Sequence, residues 1–117
     1  MEKITNLPMK VAGVTFEGRQ EILKMLAEMC EYAYDISLVR EPNNTYDRNA
    51  IKVLTNPRGL SYQMFMIGYI PKEYAKYIAE LMDAGATFSA RIDNIDWMQK
   101  GGQRIYFCNI IINQEGK

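Results

Sequence analysis

The residues best suited to chemistry stand side by side in the middle of the chain. They are an aromatic, an acid, a base and an amide: Tyr46, Asp47, Arg48 and Asn49. A loop-like run precedes them, and a strand-like apolar segment follows at residues 50–55. Such residues supply a stacking ring, a hydrogen-bond acceptor and a cation, but Asn and Asp also stabilise turns through local hydrogen bonds. Composition alone leaves both a polar turn and a binding site open.

Several kinds of catalytic site are excluded by the composition. The chain has no histidine, so the commonest general base and the commonest metal ligand are missing. Cys30 and Cys108 lie far apart in the sequence, and without histidine they do not form a standard zinc site. We expect both to be buried thiols rather than a disulfide. Asp93 and Asp96 fall on opposite faces of a predicted strand unless a bulge intervenes. We therefore expect no enzyme, no cofactor and no bound metal ion.

Length and charge narrow the class of protein further. The 117 residues, 48% apolar and 24% charged, suit one globular domain spanning residues 1–117. Fourteen acidic residues balance fourteen basic ones, which argues against clamping a long duplex but leaves room for a small basic patch. The polar start lacks the apolar region of a signal peptide, and no apolar run is long enough to span a membrane. We expect a cytoplasmic protein with no membrane partner.

Hydrophobic periodicity predicts six strands and two helices. The strands are expected at residues 9–16, 34–40, 50–55, 64–70, 87–98 and 104–113. One helix is predicted within residues 18–30, and a second begins with Pro71 at its first position and stops near Gly85. The inner face of this second helix is predicted to carry Tyr74, Tyr77, Ile78, Leu81 and Met82.

Turn residues at 56–59 and 100–103 predict two hairpins. Hairpins favour an antiparallel sheet, and six short strands hide their edges best in a closed or half-closed barrel. The expected fold is therefore mainly β, with two inserted α-helices.

Three segments in this order resemble the HIRAN domain family. They read VAGVTFEGRQE, LVREPNNTYDRNAIKV and IGYIPKEYAKYIAELMDAG. The similarity extends from about residue 10 to residue 113. It implies an OB-like six-stranded antiparallel β-barrel with helical insertions, in agreement with the strand count. Members of this family occur as N-terminal modules of helicase-like DNA-remodelling proteins and as stand-alone bacterial proteins.

The resemblance implies binding of single-stranded DNA and capture of its free 3′-hydroxyl end. Tyr46 and Asp47 match the tyrosine that stacks on a base and the acid that accepts a hydrogen bond from the terminal hydroxyl. Phe16 falls on a second stacking position, and Lys72 on a lysine that reaches a backbone phosphate. Stacking contributes roughly 1–3 kcal/mol per base and needs unpaired bases. Since a carboxylate repels a phosphate, Asp47 would select a 3′-hydroxyl end.

The chain departs from the family pattern at one position. Thr15 stands where DNA-binding members carry an arginine, which puts one phosphate or base contact in doubt. The remaining candidates for contact with the strand are Arg40, Arg48 and Asn49, with Lys52 nearby. A further family aromatic falls on either Trp97 or Tyr106.

Each of these assignments has a purely structural alternative. Phe16 at the end of an apolar strand is typical of a core residue. Arg40 and Arg48 are equally consistent with ion pairs to Glu41 and Asp47. The tyrosines of the second helix are expected in the core rather than in a site.

We expect a nucleic-acid-binding module that recognises single-stranded DNA and its 3′ end. A role in DNA repair or replication-fork processing follows from the resemblance, with a helicase-like or other DNA-processing protein as a partner. The alternative is a protein-interaction or regulatory domain that kept the fold and lost end capture. A hydrolase has the least support, because no activating base or metal cluster is visible.

Overall fold

Strands dominate the computed structural model, which describes residues 2–16, 18–29, 34–57 and 64–116. In chain order the elements are β1 (Leu7–Lys10), α1 (Arg19–Ala27), β2 (Tyr34–Arg40), β3 (Ile51–Pro57), β4 (Phe65–Tyr69), α2 (Lys72–Asp83), β5 (Thr87–Lys100) and β6 (Gln103–Gly116). The predicted fold class, mainly β with six antiparallel strands and two helices, is confirmed. Neither of these two helices is long and apolar enough to cross a membrane.

The six strands form one antiparallel sheet in the order β1-β6-β5-β2-β3-β4. The sheet curls into a half-barrel, because the chain beyond β1 reaches the opposite edge strand, β4. There Ala12 and Tyr69 exchange two backbone hydrogen bonds, of 2.8 and 2.9 Å. Gly68 allows this approach, since a Cβ at that position would overlap the carbonyl oxygen of Ala12. We refer to this contact as the Ala12–Tyr69 junction.

The first strand is shorter than the predicted range of 9–16, because the backbone changes partner after Lys10. The amide of Val11 still donates to Cys108 of β6, whereas Ala12 pairs with β4. Gly13 then adopts a φ of 71°, which turns the chain away from the sheet. Phe16 consequently lies on a loop and is 62% exposed. The alternative that Phe16 is a core residue is wrong.

The core lies between the concave face of the sheet and the two helices. Ile51, Val53 and Thr55 alternate inward along β3, as expected of a half-buried strand. Helix α1 contributes Leu23 and Leu26. The buried residues of α2 are Ala75, Ile78 and Ala79.

Helix α2 differs from its prediction in two details. Pro71 is the N-cap rather than the first helical residue, with a φ of −55° and a ψ of 142°. Tyr77 is 54% exposed, so its predicted place on the inner face is wrong. The buried residues of the helix, Ala75, Ile78 and Ala79, form a narrow apolar stripe that does not include Tyr77. Tyr74 remains half-buried against the core.

The longest element is the β5–β6 hairpin, which pairs Thr87 with Gly116 at one end and Lys100 with Gln103 at the other. Gly101 and Gly102 have φ angles of 57° and 79° and form the two-residue turn of the hairpin predicted at residues 100–103. A register shift between Ile92 and Asn94 makes Asp93 an extra residue. The simple alternation expected between Asp93 and Asp96 therefore does not hold.

The buried thiol of Cys108 is free, and burial raises its pKa to about 12. This confirms the expectation for Cys108, whereas Cys30 lies outside the described residues. Of the other predicted hairpin turn, residues 56 and 57 end β3, and residues 58 and 59 lie outside the described ranges.

Candidate nucleic-acid interface

An open groove of about 1120 Å³ lies where the Ala12–Tyr69 junction, the loop of residues 41–50 and the start of α2 meet. Its walls carry three aromatic rings, three cations and two carboxylates: Phe16, Tyr46, Tyr69, Arg19, Lys52, Lys72, Glu41 and Asp47. Because these residues come from three separate parts of the chain, the groove exists only in the folded half-barrel. Its volume slightly exceeds the usual range of ligand-binding clefts, about 300–1,000 Å³.

Asn44 determines the shape of the 41–50 loop. Its Oδ1 accepts hydrogen bonds from the backbone amides of Tyr46, at 2.8 Å, and Asp47, at 2.9 Å. Its Nδ2 donates to Glu41 Oε1. Backbone hydrogen bonds between Glu41 and Ala50 and between Ala50 and Asp47 close the base of the loop. Asn44 is therefore a structural residue of the loop, a role that asparagine often has in turns.

The two residues presented by this loop remain accessible. Tyr46 is 96% exposed, and its ring contacts no other ring among the described residues. Asp47 Oδ1 accepts a hydrogen bond of 2.8 Å from the amide of Asn49. Within the described ranges, Asp47 Oδ2 accepts none, and Arg48 forms no ion pair with Asp47. A bare ring and a carboxylate oxygen thus stand next to each other on a fixed backbone.

Behind the loop, Glu41 connects three groove residues. Tyr69 Oη donates to Glu41 Oε1 at 2.8 Å, and Lys52 Nζ lies 3.3 Å from Glu41 Oε2. The hydrogen bonds from Asn44 and Tyr69, with the charge of Lys52, hold the pKa of Glu41 below its usual value. Burial and the bond to Glu41 raise the pKa of Tyr69. Glu41 therefore stays ionised at neutral pH, and the ammonium of Lys52 is already paired.

The opposite wall contains a cation that the sequence analysis did not single out. Arg19 Nη1 donates to the carbonyl of Gly13 at 2.7 Å. Its guanidinium carbon lies 5.9 Å from the ring centroid of Phe16 and 5.5 Å from that of Tyr69. In the sequence, Arg19 is marked only by its position three residues after Phe16 in the segment VAGVTFEGRQE. That signal does not distinguish it from an ordinary solvated residue of a first helical turn.

The predicted site residues divide into two groups. Phe16, Tyr46, Asp47 and Lys72 line the groove. The others, Thr15, Arg40, Arg48 and Asn49, do not line it.

Arg40 is directed elsewhere by its partners. Its Nε and Nη2 bind the carboxylate of Asp83 at 3.0 and 3.1 Å, and Nη1 donates to the carbonyl of Ala50. The hydrogen bonds that Arg40 donates to Asp83, together with the charge of Arg40, lower the pKa of Asp83. The pairing of Arg40 with Glu41, considered from the sequence, does not form.

The two aromatics considered in the last hairpin also lie outside the groove. Tyr106 is buried, and its amide and carbonyl bind the side chain of Gln20. Trp97 stacks with Arg104 instead. Among the residues that the structure describes, no cluster of three or more acidic or cysteine side chains is placed to hold a metal ion.

The three segments that carried the sequence resemblance thus meet at this groove. The model of the HIRAN domain family matches residues 5–106. The chain belongs to the HIRAN domain family.

Solved structures agree with this assignment at the level of the fold. This HIRAN domain resembles the HIRAN domain of human HLTF with a TM-score of 0.61 and 22% identity, over 98% of this chain and 78% of that one. It also resembles a protein from Lactobacillus plantarum with a TM-score of 0.58 and 20% identity, over 96% and 97% of the two chains.

Two curated relatives match the HIRAN domain over part of its length. One is a helicase-like transcription factor from Oryctolagus cuniculus, 48% identical over 48 residues, which are 41% of this chain and 4% of that protein. The other is a Fanconi-associated nuclease 1 homolog from Arabidopsis thaliana, 40% identical over 53 residues, which are 45% and 5% of the two chains. The match thus covers only a small part of each relative.

Proposed function

We propose that this HIRAN domain binds single-stranded DNA and holds the free 3′-hydroxyl end of the strand in its groove. The observation that carries the proposal is the pair of Tyr46 and Asp47. The ring of Tyr46 is 96% exposed, and the Asn44 side chain fixes the backbone amides of both residues. Membership in a family shared with a helicase-like factor and a nuclease homolog supports a DNA ligand.

The aromatic side chains of the groove favour unpaired bases. Tyr46 and Phe16 project exposed rings from the 41–50 loop and from the loop before α1. Stacking on such rings contributes roughly 1–3 kcal/mol per base and requires a base free of a partner strand. In this proposal Tyr46 stacks on the terminal base, and Phe16 contacts a neighbouring one.

The charges of the groove suit the end of a strand better than a continuous duplex. Asp47 has an oxygen available to accept a hydrogen bond from the terminal hydroxyl, and the same carboxylate repels a terminal phosphate. Lys72 stands exposed at the first residue of α2 and lines the groove, and in this proposal its ammonium binds a backbone phosphate. Few phosphates are contacted, so a net charge of zero is compatible with binding.

Fluorescence anisotropy with a short 5′-labelled oligonucleotide tests the proposal. We expect the 3′-hydroxyl strand to bind roughly tenfold or more tightly than the 3′-phosphate strand, because a hydrogen bond to a carboxylate is worth about 1.5–3 kcal/mol. Asp47→Asn should abolish this preference, since the amide oxygen still accepts from Asn49 but the charge is lost. Asp96→Asn, in the β5–β6 hairpin, is the matched control and should keep the preference.

Equal affinity for both ends, unchanged by Asp47→Asn, would contradict end recognition. Absence of any affinity for DNA, together with a stable protein partner, would favour the alternative of a protein-interaction domain. This alternative is motivated by Thr15, which stands at the position of the family arginine and lies exposed outside the groove. The proposal also includes a role in DNA repair, a DNA-processing partner, a cytoplasmic location and binding without catalysis.

A further inference from the structure

Arg19 is a half-buried cation in the wall of the groove. Across the described parts of the chain it forms no ion pair with a carboxylate. Two other basic residues close to this groove are paired with carboxylates, Lys52 with Glu41 and Arg40 with Asp83. Arg19 therefore carries a positive charge that no acidic side chain neutralises.

The guanidinium of Arg19 is held in place by contacts that do not neutralise it. Nη1 donates to the carbonyl of Gly13 at 2.7 Å, and Nη2 lies 3.8 Å from the sulfur of Met66. The rings of Phe16 and Tyr69 lie close to its carbon. A Cβ at Gly13 would lie only 3.1 Å from Nη1, so the small residue makes room for this arrangement. A side chain ordered before binding loses little further freedom when it takes a ligand.

An oxyanion is the ligand that fits these properties. The guanidinium has five N–H donors in a rigid fork that matches phosphate oxygens. Nη1 contacts the Gly13 carbonyl and Nη2 contacts the Met66 sulfur, which leaves further N–H donors for a ligand. It lies next to Phe16, whose exposed ring faces the same groove. We propose that Arg19 binds a phosphodiester group of the single strand while Phe16 stacks on an adjacent base. This inference rests on the proposed binding of single-stranded DNA.

Salt dependence measures the contact directly. For a single strand, log Kd changes with log salt with a slope of about 0.7 per neutralised phosphate. Arg19→Gln should therefore lower this slope by about 0.7 and weaken binding about tenfold at low salt. Arg104→Gln removes a cation from the β5–β6 hairpin, outside the groove, and should leave the slope unchanged.

A second readout locates the phosphate. In a set of oligonucleotides, each internucleotide linkage in turn is replaced by an uncharged methylphosphonate. The wild-type protein should lose affinity at one linkage more than at its neighbours, and Arg19→Gln should be insensitive at that linkage. A role of Arg19 in the fold alone would weaken all of these oligonucleotides equally and leave the pattern unchanged.

The outcomes separate the two proposals. If the wild-type protein binds DNA but Arg19→Gln leaves the salt slope and the methylphosphonate pattern unchanged, only the role of Arg19 is overturned. No binding by the wild-type protein overturns the proposed function and this inference together. If Arg19→Gln does not fold, Arg19→Lys replaces it. This variant should keep the salt slope but respond less at the critical linkage, because lysine lacks the fork, and an undiminished response would overturn the inference.

Discussion

Two exposed aromatics in this protein, Tyr46 and Trp97, stand in different surroundings. Tyr46 is 96% exposed, and the hydrogen bonds that order its loop are made by the backbone and by Asn44. Trp97 is 43% exposed, and the guanidinium of Arg104 lies 4.1 Å from its ring centroid. The ring of Tyr46 is free to stack, whereas Trp97 already has a cation on one face.

This difference indicates what a stacking site requires. Stacking of a base is strongest on a ring that is held in position by bonds elsewhere and has both faces free. Binding then requires neither ordering of the ring nor displacement of another group from it. The 41–50 loop meets this condition through Asn44. In the hairpin, the cation–π contact of 4.1 Å competes with a base for one face of Trp97, whereas the guanidinium of Arg19 lies at 5.9 Å from Phe16, near the limit of such contacts.

The largest effect is expected from Tyr46→Ala. Loss of a stacked base should cost about 2 kcal/mol, which is about thirtyfold in Kd. The thermal midpoint should stay within about two degrees, because substitutions at such exposed positions change stability by less than about 0.5 kcal/mol. Anisotropy titrations and thermal unfolding of the same samples measure the two quantities.

Trp97→Ala is the matched control and should leave Kd within about twofold. Trp97 is also the only tryptophan of the chain, so its emission in the wild-type protein should not change on binding. An equal loss of affinity in both variants would show that the hairpin also contacts the strand.

Asn44→Ala tests the part of the comparison that concerns loop order. It removes two hydrogen bonds to backbone amides and the bond to Glu41, so the free energy of unfolding should fall by about 1–2 kcal/mol. Binding should weaken by less than in Tyr46→Ala, since the ring remains present but its loop is no longer fixed. Urea unfolding monitored by circular dichroism gives the first quantity.

Asp96→Ala provides the corresponding change in the hairpin. Asp96 Oδ1 accepts a hydrogen bond only from the adjacent amide of Trp97 among the described contacts. Its loss should change stability by less than about 0.5 kcal/mol, as is usual for surface positions. If Asn44→Ala were equally mild, the loop would not depend on Asn44 for its order.

The smallest effect is expected from pH. The pKa of Glu41 is lower in the folded protein than its ordinary value of 4.5. Its contribution to stability is therefore complete above about pH 4.5 and is lost as the pH falls through the folded pKa. Glu41→Gln should reduce the loss of folding stability as the pH falls below about 4.5, and it should leave the pH dependence of stability above that value unchanged. Unfolding midpoints measured between pH 3 and pH 7 check this, and identical curves for the two proteins would contradict it.

Sequence patterns predicted the strands well because their alternation reflects local burial. The three quoted segments also pointed to Phe16, Tyr46, Asp47 and Lys72, which do line one groove. The early end of β1 was not predictable, because it depends on Gly68 approaching Ala12 from a distant strand. The contacts of Arg19 with Tyr69 and of Arg40 with Asp83 were missed for the same reason, since the tertiary fold brings these partners together.

The Ala12–Tyr69 junction has a consequence for how the protein folds. It joins β4 to the end of β1, and β1 itself pairs with β6, where Leu7 faces Ile112. Contacts so distant along the chain form late and slow the folding of a domain. During synthesis, the groove therefore cannot be completed until β6 has left the ribosome. Under the proposed function, affinity for a DNA end would then arise only after β6 has joined the sheet, and a nascent chain that ends before β6 would not compete for such ends.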